Sequence, residues 1–313
     1  MNRAHVPVLK DEILGLLEPG PGRRFVDGTF GFGGHSEALL DAGADVLGLD
    51  LDTEAVAACR RISTDRPRLH CQQCSFRDLV VAVRQEGWDA VDGVLLDLGV
   101  SSRQLDDPDK GFSYRADGPL DLRFDQGRGE PAHVLLGTVD EVELARILFE
   151  YGEERGSRRL ARAIKLADQD EPVRTTTRLA DVVRDTLPAS APINAILSRV
   201  FQALRIAVND ELRALEEALA ATIAVVRPGG RIAVISYHSL EDRRVKQWLA
   251  RERRDCLCPP EVPVCRCGHA ATLRPITRRA VTAGDQEVAT NPRARSARLR
   301  AAEVLPSAAK ERS

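Results

Sequence analysis

The spacing of apolar positions along this chain changes after about the first hundred residues. Up to that point, short apolar runs alternate with amphipathic stretches. Residues 46–50, a run starting at 68–71 and Val91–Asp97 read as buried strands; Leu79–Gln85 reads as a helix, as does a segment capped by Thr53 and running to Ile62. Such strand–helix alternation predicts a parallel sheet with helices on both faces. Beyond Ser102 the rhythm breaks into loops at 106–109 and 125–129 and then three helical segments. Thr138 with Glu141 forms a capping box, while Ser157 and Thr177 open the other two. Pro188 and Pro192 close that block. A long helix follows, with Ile196, Val200, Leu204, Val208, Leu212, Leu215 and Leu219 on one face, and Pro228-Gly229-Gly230 precedes a strand at 231–236. The pattern predicts a Rossmann-like α/β domain built from residues 1–104 and 196–313. A helical domain over 105–195 interrupts it.

The densest chemistry lies in Phe25-Val26-Asp27-Gly28-Thr29-Phe30-Gly31-Phe32-Gly33-Gly34-His35-Ser36, followed by a strand ending in Asp50 and Asp52. This reads as strand, glycine turn, helix, strand and acid. Glycines let the backbone turn tightly and approach a ligand where a Cβ would clash. Asp50, 17 residues after Gly33, is placed to accept hydrogen bonds from ribose hydroxyls. The match to G-x-G-x-x-G is imperfect, because Ser36 stands where the third glycine would be. The first strand ends in Asp27, which would repel a pyrophosphate but suits a ligand bearing an ammonium group. That favours S-adenosylmethionine over a dinucleotide. Asp97-Leu98-Gly99-Val100-Ser101-Ser102 puts a third acid at a strand end, so Asp27, Asp50 and Asp97 would share one rim. For any one of them a helix N-cap is an equally good account. A fourth strand ends in Ser236-Tyr237-His238-Ser239, where His238 reads as a structural hydrogen-bonder more than a catalyst.

Composition narrows the class. The 313 residues are 43% hydrophobic and 29% charged, as in globular proteins, with no run long enough to span a bilayer. Residues 1–7 lack an apolar signal core, which argues for a cytoplasmic location. The net charge of −2 conceals a crowd of arginines beyond Arg243, from Arg251, Arg253 and Arg254 to Arg293, Arg295, Arg298 and Arg300. Seven cysteines, an odd number, argue against a disulfide framework and for a reduced protein, with Cys59, Cys71 and Cys74 as buried or half-buried thiols. Cys256-x-Cys258 and Cys265-x-Cys267 suit tetrahedral zinc by number, but paired C-x-C is less typical than C-x-x-C, so no metal is assigned.

The chain resembles the MraW/RsmH family of bacterial small-subunit ribosomal RNA cytosine methyltransferases. The resemblance covers nearly its whole length. It rests on His5-Val6-Pro7-Val8-Leu9, residues 27–36, residues 97–102 with Gln104, Gly111-Phe112-Ser113, residues 117–123, Gly152-Glu153-Glu154-Arg155, residues 199–206, residues 236–243 and Asn291-Pro292-Arg293-Ala294-Arg295-Ser296. It departs from the family's usual pattern at Tyr237, where Phe is common, and at Leu51, where a basic residue is. The resemblance implies an S-adenosylmethionine-dependent enzyme methylating the exocyclic N4 amine of a cytidine in the decoding region of 16S ribosomal RNA, within the small subunit. By the same resemblance Gly33, Gly34 and His35 would contact the cofactor, Asp50 its ribose and Phe76 its adenine, with Asp97 and Gln104 completing the pocket.

Cytosine's exocyclic nitrogen is a poor nucleophile, because its lone pair is delocalised into the ring. Acceptors for its N–H protons would draw that pair back, and Asp97, its neighbouring carbonyls and the hydroxyls of Ser101 and Ser102 are the candidates. The target base must leave its stack, and Phe112, Tyr114 or Tyr237 could stack on it. Arg243, Arg244, Arg253, Arg254, residues 291–300 and Arg155, Arg158, Arg159 and Arg162 would supply phosphate contacts. Two rivals stand beside this reading: a methyltransferase of the same fold acting on a protein or small molecule, and a non-catalytic assembly factor that binds cofactor and RNA.

Overall fold

The computed structural model describes residues 7–306 other than 263, and of Ser102 the backbone alone; His5 and Val6 lie outside the described residues. Helix α1 (Lys10–Leu17) leads into β1 (Arg24–Asp27), α2 (Gly34–Asp41), β2 (Asp45–Asp50), α3 (Thr53–Asp65), β3 (Leu69–Gln73), α4 (Leu79–Gln85) and β4 (Val91–Asp97). Six helices follow: α5 (Ser102–Asp106), α6 (Ala132–Thr138), α7 (Glu141–Glu150), α8 (Ser157–Asp170), α9 (Thr176–Thr186) and α10 (Ile193–Asn209). The chain continues through α11 (Glu211–Val225), β5 (Val226–Ser236), α12 (Ser239–Glu252), β6 (Leu273–Pro275), α13 (Asp285–Thr290) and β7 (Arg298–Val304). It divides into two compact units, one of Met1–Gly99 with Leu212–Ser313, the other Val100–Glu211.

The first unit is a seven-stranded sheet in the order β3-β2-β1-β4-β5-β7-β6. Strands β1 to β5 run parallel, and β7 lies antiparallel between β5 and β6. Because side chains alternate across a strand, a parallel sheet covered on both faces needs apolar residues at nearly every position. Val26, Leu47, Leu49, Val94, Leu96, Ile232 and Val234 point into one core with residues of α4, α11 and α12. Phe25, Val46, Leu95, Ala233 and Ile235 point into the other, with residues of α1 and α2. Gly48 interrupts the apolar run of β2 because a Cβ there would lie 2.5 Å from the ring of Phe30, the buried aromatic under the glycine turn.

The second unit has its own core, in which α10 supplies Ile196, Leu197, Val200, Phe201, Ala203 and Leu204. The single long helix expected after Pro192 is therefore two. Asp210 takes the left-handed conformation at φ 51° and ends α10, while Leu215, Ala218 and Leu219 of α11 pack in the first unit. The unit boundary falls at residue 211, not 195, for that reason: the apolar period continues across a break between two cores. Phe112 stacks on Phe124 with centroids 5.4 Å apart, and Tyr114 meets Phe201 edge-on at 5.5 Å. Both rings serve that core.

Other local expectations also shift. Asp52, not Thr53, caps α3, its carboxylate accepting from Glu54 N at 3.0 Å. Thr138 ends α6, and Asp140 caps α7 by accepting from Glu143 N at 2.7 Å. Cys59 and Cys71 form a disulfide, their Cα atoms 6.0 Å apart, where α3 packs on β3. Two of the cysteines read as free thiols are thus bridged, because tertiary packing brings their backbones within bridging reach. Cys74 stays free, and burial pushes its thiol up to about 11. No described helix is long and apolar enough to cross a membrane.

Gly118 joins two loops of the second unit, its carbonyl accepting from Thr176 N at 3.0 Å. A Cβ there would stand 2.0 Å from the carbonyl oxygen of Pro108. Gly118→Ala is expected to destabilise this unit by about 1–3 kcal/mol, the usual cost of overpacking. Hydrogen-exchange mass spectrometry should show α6–α10 losing protection while β1–β5 keep theirs; unchanged protection in both would contradict the packing described.

Candidate active site

In an open α/β sheet ligands bind outside the carboxyl ends of the strands. Here those ends are Asp27 of β1, Asp50 of β2 and Asp97 of β4. All three belong to the first unit.

Asp27 is the most enclosed. It is 1% exposed, and its carboxylate accepts from Ser36 Oγ at 2.7 Å and Thr29 N at 3.2 Å. Burial raises its pKa, with His35, Ser36 and Thr29 working the other way and Asp97 adding to the rise. The departure of Ser36 from the glycine pattern now has a cause: its hydroxyl ties α2 to the end of β1. The turn between them is fixed by Phe30 beneath it. Gly33 sits at φ 87°, and a Cβ there would meet the Phe30 ring at 2.9 Å. That left-handed residue is the N-cap of α2 and carries no side-chain capping bond, so Gly34 and His35 open the helix with backbone N–H groups directed outward.

Asp50 anchors the same turn from the next strand. Its two oxygens accept from Gly31 N at 2.7 Å and Asp52 N at 2.9 Å. Burial is the larger influence and holds its pKa up at about 6, while those two backbone bonds pull it down. Each carboxylate oxygen retains a further lone pair. Phe76 is half-buried beside Gly28, its Cβ 3.2 Å from the place a Gly28 Cβ would occupy.

Asp97 is held by its backbone, whose N–H donates to Thr29 Oγ1 at 2.6 Å. Its Oδ2 lies 3.5 Å from His35 Nε2. Its Oδ1 is buried without a hydrogen-bond partner among the described residues, as are both ring nitrogens of His35. Buried polar atoms are nearly always paired, so Asp97 Oδ1 and His35 Nδ1 can meet polar groups of a ligand, while His35 Nε2 faces the Asp97 carboxylate. Tyr237 closes this region. Its hydroxyl interacts with the Asp97 carboxylate, and burial first, then that negative charge, push its pKa well above the ordinary 10. Gly99 is glycine because a Cβ would lie 2.6 Å from the Tyr237 ring. Glu241 fixes Tyr237 by accepting its backbone N–H at 2.8 Å. His238 caps α12 in a box with Glu241, the structural role expected of it.

Gly33, Gly34, His35, Asp50, Phe76 and Asp97 thus gather in the first unit. Ser101, Ser102 and Gln104 belong to the second. There Ser101 Oγ accepts from Gln104 N at 3.2 Å, and Gln104 Oε1 accepts from Ser101 N at 2.9 Å. This reciprocal box at the start of α5 gives both residues a local role; the side chain of Ser102 lies outside the described residues. Sequence reasoning missed Thr29 and Glu241, whose parts depend on contacts distant in the chain. Some of the expected phosphate ligands are also committed elsewhere. Arg300 pairs with Asp242 at 2.7 Å and Arg244 with Glu216 at 2.9 Å. By contrast Arg155, Arg158, Arg159 and Arg162 are exposed, and none enters an ion pair among the described residues.

The chain matches the family model described as the MraW methylase family over residues 2–305. It is 52% identical over 304 residues to a protein of Anaeromyxobacter sp. (strain K) named "Ribosomal RNA small subunit methyltransferase H", with 96% of this chain and 98% of that one aligned. Proteins of the same name in Thermomicrobium roseum and Heliobacterium mobile are 48% and 46% identical, over 97% and 96% of this chain and 95% and 99% of theirs. With a family model spanning nearly the full length and relatives near half identity, the chain belongs to the MraW methylase family.

Proposed function

We propose that this chain transfers a methyl group from S-adenosylmethionine to the exocyclic N4 amine of a cytidine in the decoding region of 16S ribosomal RNA, acting on the small subunit in the cytoplasm. The observation that carries the reading is the cluster of unsatisfied buried polar atoms on His35 and Asp97, set among three strand-terminal acids in a member of this family. The residues fit the cofactor. Outward N–H groups at Gly34 and His35 suit its carboxylate, the charge of Asp27 suits its ammonium, and the free lone pairs of Asp50 suit ribose hydroxyls. Phe76 offers a face to adenine.

When bound, the cofactor supplies a methyl group already activated by a sulfonium, so the protein's work is alignment and charge support. Asp97 accepts an N–H of the cytosine amine, returns the lone pair to nitrogen and takes the proton that nitrogen loses. Thr29 fixes the backbone of Asp97, His35 Nε2 lies 3.5 Å from its carboxylate, and Tyr237 shields it from water. In the second unit, Arg158 and Arg159 lie four and three residues before Arg162 on α8, so each neighbours it on the exposed side, which suits a phosphate backbone. The test is direct. Purified chain, methyl-labelled cofactor and unmodified small subunits should yield labelled N4-methylcytidine by nucleoside mass spectrometry. Label on protein or on another base would refute the assignment.

Three further outcomes are expected. Asp97→Asn should slow single-turnover methylation by about 10²-fold or more with RNA affinity unchanged; near-normal turnover with weakened RNA binding would contradict the role given to Asp97. Ribose hydroxyls donating to Asp50 stabilise its ionised form, so binding should lower its pKa from about 6 and release a proton. Affinity should then rise as pH increases through 6 and level off above it. Calorimetry in buffers of different ionisation enthalpy would register the proton, and Asp50→Asn should abolish both effects; a flat profile in the unaltered protein would exclude this placement. Charge reversal at Arg158 and Arg159 should weaken RNA binding and reduce its salt slope by about 1 for each phosphate no longer neutralised, without altering cofactor affinity. An unchanged slope would remove α8 from the RNA-binding surface.

A further inference from the structure

Between α12 and β6 the chain makes an excursion that the methyl-transfer reading does not use. Its base is closed by Thr272, whose N–H and hydroxyl donate to the Glu252 carbonyl at 2.8 Å and its side chain at 2.7 Å. Within the excursion almost every described residue from Arg253 to Gly268 is exposed, so no apolar core holds it together. Loops of this length without secondary structure need some other constraint. Four sulfurs converge there. Cys256 Sγ lies 3.4 Å from Cys265 Sγ and 3.8 Å from Cys267 Sγ, Cys265 and Cys267 are 3.5 Å apart, and all four sulfurs, that of Cys258 included, lie within 4.8 Å of one another. No disulfide joins them. A tetrahedral zinc with Zn–S bonds of about 2.3 Å requires sulfurs about 3.8 Å apart. Backbone N–H groups already point at three of the sulfurs: Leu257 N to Cys267 at 3.3 Å, Cys258 N to Cys256 at 3.3 Å and Arg266 N to Cys258 at 3.4 Å. Donors of this kind stabilise thiolate charge and orient ligands. The C-x-C spacing that weakened the zinc reading in sequence is therefore no obstacle, since the loop folds the two pairs onto each other.

We infer that Cys256, Cys258, Cys265 and Cys267 form a structural tetrathiolate site for one zinc ion, which staples this exposed loop. Binding converts four thiols to thiolates and releases their four protons to solvent, while the metal's charge and oxidation state are unchanged. All four positions hold protein ligands, so the site has no open position for catalysis. The inference does not depend on the methyl-transfer assignment. Elemental analysis of the full chain, purified with zinc present and desalted, should find one zinc per chain. Cys265→Ser and, separately, Cys256→Ser should reduce that to near zero while S-adenosylmethionine affinity holds within about twofold. Cobalt substitution should give the visible spectrum of tetrahedral tetrathiolate coordination. Four titratable thiols with no bound metal in anaerobically purified protein, or disulfides among these four cysteines in the native chain, would overturn it.

Discussion

A carboxylate buried at the end of β1 constrains everything around it. Asp27 is almost wholly removed from water, and a charge in that position needs hydrogen bonds and a nearby cation. Ser36 and Thr29 supply the bonds, and each also shapes the site. Ser36 ties down the first turn of α2, while Thr29 receives the backbone N–H of Asp97 from the adjacent strand. One buried acid thereby fixes the glycine turn, the helix start and the end of β4 relative to each other. His35 offsets part of the charge, and a cationic ligand would offset more. The burial that makes this acid costly by itself makes a positively charged cofactor favourable beside it.

The sheet on which this rests was largely legible in the sequence, because buried parallel strands are dense apolar runs and amphipathic helices separate them. Leu79–Gln85 and Val91–Asp97 carry the bounds expected of them. The antiparallel pair β6 and β7 was not legible. Its strands are rich in arginine, and Arg300 becomes compatible with a half-buried position only through Asp242, 58 residues away. The join of α10 to α11 was hidden for the opposite reason. The apolar period runs on without a glycine or proline, and a single left-handed residue, Asp210, divides it between two cores.

The candidate site was legible as strand-end acids and a glycine turn, since those are local features. What holds each acid in place was not. Asp97 depends on Thr29, 68 positions earlier, and Tyr237 owes its position to Gly99 and Glu241. Ser101 and Gln104, expected in the site from a short motif, also form a reciprocal helix cap that the motif did not announce. The cysteines show the same limit twice. Cys59 and Cys71 meet only because α3 packs on β3, and the four loop thiols meet only because their excursion folds back on itself.

The central claim is that acids at the ends of β1, β2 and β4 select a cofactor that carries positive charge beside Asp27. Calorimetric affinities of this protein for S-adenosylmethionine and for an analogue lacking only the ammonium group test it most directly. The account predicts tenfold or greater weakening for the analogue, about 1.4 kcal/mol, with the difference abolished in Asp27→Asn. Equal affinities for the two ligands in the unaltered protein would contradict it.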